Sequence, residues 1–302
     1  MHTKLHSAAE ATKAAGPSAL CLVIAGIALT LDMHSLGPAA RQRLASRYTG
    51  FTAETAPVGS CAICIHEQPG PPFIDLPVTG DRPHPYVVRV AVHEQVLSFT
   101  SYRERGNLDF TSGRGELTLR PAGSPENYLR AVYSRLCAAR DGLLLHASGV
   151  IRNGHGYAFF GPSGAGKTTL ARLSRESGAT VLSDDIVILR RHDEHIALHG
   201  TPFYGTDDPP EMARVNASAP LLALFAPVKA TRHAVEPMGA VDAVARLMTC
   251  TPFLQGDPDC LTKATHFCME LAQAVPVHAL HFRKDNDFWR VIDDTYGLPR
   301  AA

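Results

Sequence analysis

Nine consecutive residues, Gly161-Pro-Ser-Gly-Ala-Gly-Lys167-Thr168-Thr169, fit the phosphate-cradling pattern G-x-x-x-x-G-K-[ST] at every fixed position. Tyr157-Ala-Phe-Phe160 before them is a short apolar run of strand type. Thr168 to Ser177 reads as a helix, with Leu170, Leu173 and Ser177 at spacings of three and four. A strand that turns through glycines into a helix aims backbone N–H groups and the positive end of the helix dipole at one point. Gly164 and Gly166 allow close backbone approach. The expected ligand is ATP, held by Gly161, Pro162, Ser163, Gly164, Ala165, Gly166, Lys167, Thr168 and Thr169. Lys167 reaches the β- and γ-phosphates, and the Thr168 hydroxyl completes the shell of a Mg²⁺ ion.

A phosphate loop by itself does not separate a kinase from a motor, a switch or a transporter subunit. Asp184 and Asp185 are the discriminating residues, 23 and 24 positions beyond Gly161 in the run Val181-Leu-Ser-Asp-Asp185. A strand neighbouring the loop strand would carry them to the γ-phosphate side. Adjacent strand residues face opposite ways, so the chain must bend there if both carboxylates act. One would hold Mg²⁺, and the other would accept the proton of an attacking hydroxyl. His146 lies in the apolar run Leu143-Leu-Leu-His-Ala-Ser-Gly-Val-Ile151, and the turn Asn153-Gly-His-Gly156 predicts that this strand runs antiparallel to the loop strand. On its own the histidine reads as a hydrogen-bonded core residue. No metal-ligand spacing emerges from the other histidines, including His192/His195 and His278/His281.

These residues need elements to hold them. Residues 1–18 read as a flexible Ala-rich tail, 19–122 as an α+β or mainly β lobe, and 123–302 as the nucleotide-binding domain. Short strands are expected at Leu20–Leu31, Ser60–His66, Tyr86–Val92, Val96–Thr100 and Glu116–Pro121, separated by Gly/Pro clusters. A helix over Ser124–Arg140, with Ser124 as N-cap and Pro125 at its first position, carries Leu129, Val132, Tyr133, Leu136 and Cys137 on one stripe. Farther on, Leu221–Val228 and Val277–Phe282 read as strands, and Gly239–Met248 and Asp257–Ala272 as helices.

Composition sets bounds on this reading. The 302 residues are 45% hydrophobic and 19% charged, enough for a core and against wholesale disorder. Lys+Arg and Asp+Glu both number 29, which gives no electrostatic reason to expect nucleic acid. The seven cysteines read as reduced thiols of a cytoplasmic protein. Cys61 and Cys64 have C-x-x-C spacing, but on a strand they point to opposite faces. The apolar segment Ala19–Leu31 is too short to span a bilayer as a helix and is expected as one buried strand.

Leu145-His-Ala-Ser-Gly-Val150, Gly161-Pro-Ser-Gly-Ala-Gly-Lys-Thr168 and Leu182-Ser-Asp-Asp185 together resemble the core of HPr kinase/phosphorylase, and more closely the broad group of HPr-kinase-like serine kinases. The resemblance is strong over about Asp141–Leu189 and weaker through His199–Phe203 and Leu221–Met248. It implies an α/β fold with a P-loop kinase core of the HPr kinase/PEP carboxykinase type, a mixed sheet with flanking helices. It also implies Asp184 as general base, Asp185 as the metal-side carboxylate and His146 as an active-site histidine. Ala147 stands where true HPr kinases carry glycine, and their downstream glycine-rich signature is missing. The implied acceptor is therefore a serine or similar hydroxyl of a peptide, protein or small molecule, and HPr is not singled out. Family analogy suggests a homo-oligomer. The alternative from another class is an ATP-binding sensor or assembly module without dedicated phosphotransfer.

Overall fold

A computed structural model describes residues 16–75, 87–203, 215–254 and 256–298. Most of the expected tail, the start of the strand expected at Tyr86 and the turn Gly80–Pro83 lie outside them. The chain divides into two compact units, Met1–Tyr133 with Gln255–Asp257, and Ser134–Leu254 with Pro258–Ala302.

The first unit is built on one mixed sheet. Its strands are β1 (Ala19–Ile24), β2 (Ile27–Asp32), β3 (Thr52–Ala53), β4 (Cys61–Glu67), β5 (Arg89–His93), β6 (Val96–Thr100), β7 (Glu104–Asp109) and β8 (Arg114–Leu119), with α1 (Pro38–Arg47) after β2. Their order across the sheet is β3-β1-β2-β4-β8-β7-β6-β5. The segment expected as a single strand over Ala19–Leu31 is a hairpin, because Ala25 and Gly26 both take positive φ (51° and 72°) and turn the chain back on itself. In β4, Cys61 is buried and Cys64 exposed, on the opposite faces that the alternation requires.

Helix α2 (Glu126–Ala138) follows β8, and Leu129, Val132, Tyr133, Leu136 and Cys137 are all buried on it. Its N-terminus departs from the sequence reading. The Ser124 hydroxyl is buried without a hydrogen-bond partner, and Asn127 N–H donates instead to Glu104 Oε1 at 3.4 Å. A carboxylate brought in by β7 thus does the work expected of the local serine.

The second unit contains β9 (Gly142–Arg152), β10 (His155–Phe160), α3 (Lys167–Glu176), β11 (Thr180–Ser183), β12 (Ile186–His192), β13 (His195–His199), β14 (Ser218–Lys229), β15 (Ala234–Pro237), α4 (Ala240–Thr249), α5 (Pro258–Ala274), β16 (Val277–Phe282) and α6 (Phe288–Tyr296). The first two strands are antiparallel through a turn at Asn153 and Gly154, again both at positive φ (52° and 77°). Pairing runs β10-β9-β12-β13-β14 and closes on itself, since β14 also pairs parallel with β10. Beyond this ring, β16 runs parallel to β14, and β15 lies antiparallel on its far side.

Alternation along β10 explains why helices cover both faces. Ala158 and Phe160 join a core with Leu247 of α4 and Phe267 and Leu271 of α5, while Tyr157 and Phe159 join one with Leu170 of α3 and Phe288, Trp289 and Ile292 of α6. A strand buried on both faces reads as a continuous apolar run, as Tyr157–Phe160 does. The unit is an α/β assembly with a mixed sheet and flanking helices.

Candidate functional site

The glycine-rich turn joins the end of β10 to the start of α3, and its backbone departs from ordinary geometry where the glycines stand. Gly161, Gly164 and Gly166 have φ of 151°, 78° and 114°. Gly166 is the N-cap of α3. A Cβ there would lie 2.5 Å from Cζ of Phe282, so a side chain is excluded by contact as well as by backbone angle. At Gly164 a Cβ would meet nothing within 4 Å. Pro162, Ser163, Gly164 and Thr168 are exposed, and Ala165 and Thr169 half-buried, so the outer surface of the turn is open to solvent.

Lys167 is buried at 6% exposure, and its ammonium donates to the carbonyl oxygens of Gly161 (2.7 Å) and Pro162 (3.0 Å). Burial pulls its pKa down from the ordinary value, and the neighbouring Cys250 and Asp185 oppose that shift. The Lys167 carbonyl in turn accepts from the buried Ser148 hydroxyl of β9 at 3.1 Å. The start of α3 is thereby tied to the strand that carries His146.

Asp184 and Asp185 occupy the bend between β11 and β12. The bend has a local cause: Ser183 Oγ accepts from the backbone N–H groups of Asp185 (3.3 Å) and Ile186 (3.2 Å) and donates to the Phe203 carbonyl (3.4 Å). Thr201 Oγ1 donates to the Ile186 carbonyl at 2.6 Å. Strands β11 and β12 border β9, not β10. The carboxylates therefore stand one strand farther from the loop strand than the sequence spacing led us to expect, and β9 with His146 lies between. His146 Nδ1 is 3.0 Å from Asp185 Oδ1. Both aspartates are half-buried.

Sequence reasoning missed Cys250. It follows α4; its carbonyl accepts from the His146 N–H at 2.8 Å, and its buried thiol lies near enough to the Gly161 amide and Lys167 for both to favour the thiolate. Burial pushes this thiol up, against the lowering effects of Thr249, Lys167 and the Gly161 amide. Nothing in the local run Met248-Thr-Cys-Thr251 announces the contact, since more than eighty residues separate Cys250 from either partner.

The structure therefore brings Gly161, Lys167, His146, Asp185 and Cys250 into one connected cluster, with Asp184 at the adjoining bend. The donor set suits a polyphosphate: glycines that leave the backbone bare, a lysine at the loop's base and a helix N-terminus. Among the described residues no group of three or more His, Cys, Asp or Glu side chains is arranged to hold a metal ion. The Thr168 hydroxyl and the Asp185 carboxylate are the oxygen ligands the sequence offers Mg²⁺, an ion that keeps waters and takes its remaining ligands from phosphates. No helix among the described residues is long and apolar enough to cross a membrane.

No curated protein matches the chain. Among solved structures it is similar to the HPr(Ser) kinase/phosphatase of Coxiella burnetii, at 13% identity and a TM-score of 0.30, over 51% of this chain and 95% of that one. A likeness that distant carries no assignment of chemistry. The family described as SynChlorMet cassette protein ScmC matches residues 125–296. That span is more than half of the chain and takes in β9, β10, the glycine-rich turn, the Asp184–Asp185 bend and Cys250, and the chain belongs to the ScmC family.

Proposed function

We propose that the protein is an ATP- and Mg²⁺-dependent kinase that transfers the γ-phosphoryl group to a serine or similar hydroxyl of a peptide, protein or small molecule. The observation that carries this reading is the cluster in which Lys167, at the base of the glycine-rich turn, feels the charge of Asp185, while Asp185 is in hydrogen-bonding contact with His146. Lysine belongs to any such loop; what goes beyond holding a nucleotide is a carboxylate beside it that is in contact with a histidine. Bound Mg²⁺–ATP supplies the phosphoryl group and part of the charge neutralisation. The chain's own residues do the rest. Loop amides and Lys167 donate to phosphoryl oxygens, the lysine exchanging its present carbonyl partners for them. Thr168 and Asp185 offer oxygens to the cation. Asp184 takes the proton of the acceptor hydroxyl, and His146 orients Asp185.

The test is transfer of label from γ-labelled ATP to candidate peptides and small hydroxyl compounds by wild type and Asp184→Asn. Loss of at least about a hundredfold in the variant is expected for removal of a positioned base. Equal transfer by both proteins would remove Asp184 from that role. Tight ATP binding with no transfer by wild type to any acceptor would favour a nucleotide sensor instead.

A further inference from the structure

Two short loops stand beside the glycine-rich turn, on the side away from the carboxylates. One, residues 230–233, links β14 to β15, and the other, residues 283–287, links β16 to α6. Strands β10, β14 and β16 are parallel, so the glycine-rich turn and both loops leave from the same edge of the sheet. In α/β sheets that carboxyl edge is where ligands bind. Contact confirms the proximity: Phe282, the last residue of β16, is the ring against which Gly166 is packed. Arg283 is the next residue.

The two loops are tied into one unit. The Ala230 N–H donates to the Phe282 carbonyl at 2.9 Å. His233 Nε2 lies 2.7 Å from Asp285 Oδ1, and the Asp287 N–H donates to that same oxygen at 3.1 Å. Hydrogen bonding from His233, the Asp287 amide and Arg283 holds the Asp285 carboxyl below its usual range, against the opposing effect of burial. Arg283 is held at two nitrogens, by Nε to Asp285 and by Nη2 at 3.7 Å from Asp287 Oδ2, yet its side chain is 53% exposed. A guanidinium fixed at its edges, with its charge balanced by two carboxylates, is poorly suited to grip a phosphate. What it offers a ligand is a flat, polarisable face, the chemistry that stacks an aromatic heterocycle.

We infer that the loop pair 230–233 and 283–287 holds the nucleoside end of the nucleotide, with the Arg283 guanidinium as the plane on which the base stacks. The inference rests on the nucleotide reading of the glycine-rich turn. Its direction comes from the sheet order: Asp185 and His146 lie on the β9 side of β10, so a polyphosphate with its terminal group toward Lys167 and Asp185 runs its other end toward β14 and β16. His233 and Asp285 are positioning residues, since they fix Arg283 without offering a face of their own.

The experiment compares ATP with inorganic triphosphate by titration calorimetry in Mg²⁺, using wild type, Arg283→Ala and Arg283→Lys, with thermal unfolding to show that each variant is folded. Wild type is expected to bind ATP more tightly than triphosphate. Both variants should lose about tenfold in ATP affinity, the size of a desolvated cation–π contact, and keep their affinity for triphosphate. Lysine keeps the charge without the plane, so full ATP affinity in Arg283→Lys would overturn stacking. Equal losses for ATP and triphosphate would make Arg283 a phosphate contact and overturn the inference, as would no loss at all. A wild type that binds triphosphate but gains nothing from the nucleoside overturns the platform and leaves the phosphate loop standing, whereas binding of neither ligand removes the nucleotide reading itself.

Discussion

His146 Nδ1 lies 3.0 Å from Asp185 Oδ1 and also 3.0 Å from the Asp185 carbonyl oxygen, with β9 and β12 paired at the neighbouring residue Ile186. Both oxygens are acceptors, so in this arrangement Nδ1 is the donor nitrogen. If the pair acts as a unit in phosphoryl transfer, single changes His146→Ala and Asp185→Asn and the double change will not be additive. A coupling of about 0.5–3 kcal/mol in kcat/KM is expected. Additive losses would show that the two residues act independently.

Gly166 and Gly164 should respond differently to alanine. At Gly164 the cost is the left-handed backbone alone, about 1–2 kcal/mol, because the space beside it is open. At Gly166 the same kind of backbone cost is joined by collision with the buried Phe282 ring, adding about 1–3 kcal/mol of overpacking. Gly166→Ala is therefore expected to lower the melting temperature more than Gly164→Ala. It should also impair ATP binding more severely, since the loop must move away from the start of α3. Equal melting temperatures for the two variants would contradict the contact with Phe282.

Cys250 holds the backbone of His146 through its carbonyl and sets its thiol beside the first residue of the glycine-rich turn. Serine keeps a polar atom beside the Gly161 amide, whereas alanine takes it away, at a cost of about 1–3 kcal/mol. Cys250→Ser should hold nucleotide affinity within a few-fold of wild type, and Cys250→Ala should weaken it by about tenfold or more, since each step of about 1.4 kcal/mol is a factor of ten. Calorimetric titration with ATP decides the matter. Indistinguishable affinities in the two variants would mean that the thiol does not position the loop.

Burial raises the Glu104 carboxyl from 4.5 to about 7, against the lowering effects of Ser101, the Asn127 amide and Arg130. Between those two values the folded state binds more protons than the unfolded one, so stability falls as pH rises through the window and is fully present below it. The contribution is about 3–4 kcal/mol at its fullest, because each tenfold gain in proton affinity on folding is worth about 1.4 kcal/mol. Wild type should therefore melt higher at pH 5 than at pH 8, and Glu104→Gln, which does not titrate, should show a smaller difference. The same pH response in both proteins would place the titrating group elsewhere.

Elements whose burial repeats along the chain were legible in the sequence. Val277–Phe282 and Val96–Thr100 are strands over the expected residues, and α4 and α5 lie within two residues of their expected limits. The less legible elements carry weaker patterns. Strand β7 reads Glu-Arg-Gly-Asn-Leu-Asp, with a buried glutamate where the period calls for an apolar residue, and α1 carries only one buried side chain, Leu44. The Ala19–Leu31 segment misled for the opposite reason, since its apolar character ran straight through the Ala25–Gly26 turn.

What the sequence determined by itself was local: a glycine-rich turn between a strand and a helix, two adjacent carboxylates after a short strand, and a histidine in an apolar run. These follow from backbone geometry and side-chain period, which act over a few residues. The tertiary structure decided which of these groups meet. It set β9 between the loop strand and the carboxylates, chose Asp185 as the neighbour of His146, brought Cys250 to Gly161 and seated Phe282 against Gly166. Strand order and the packing of helices on both sheet faces set those distances. They arise from burial across the whole unit, and no spacing along the chain records them.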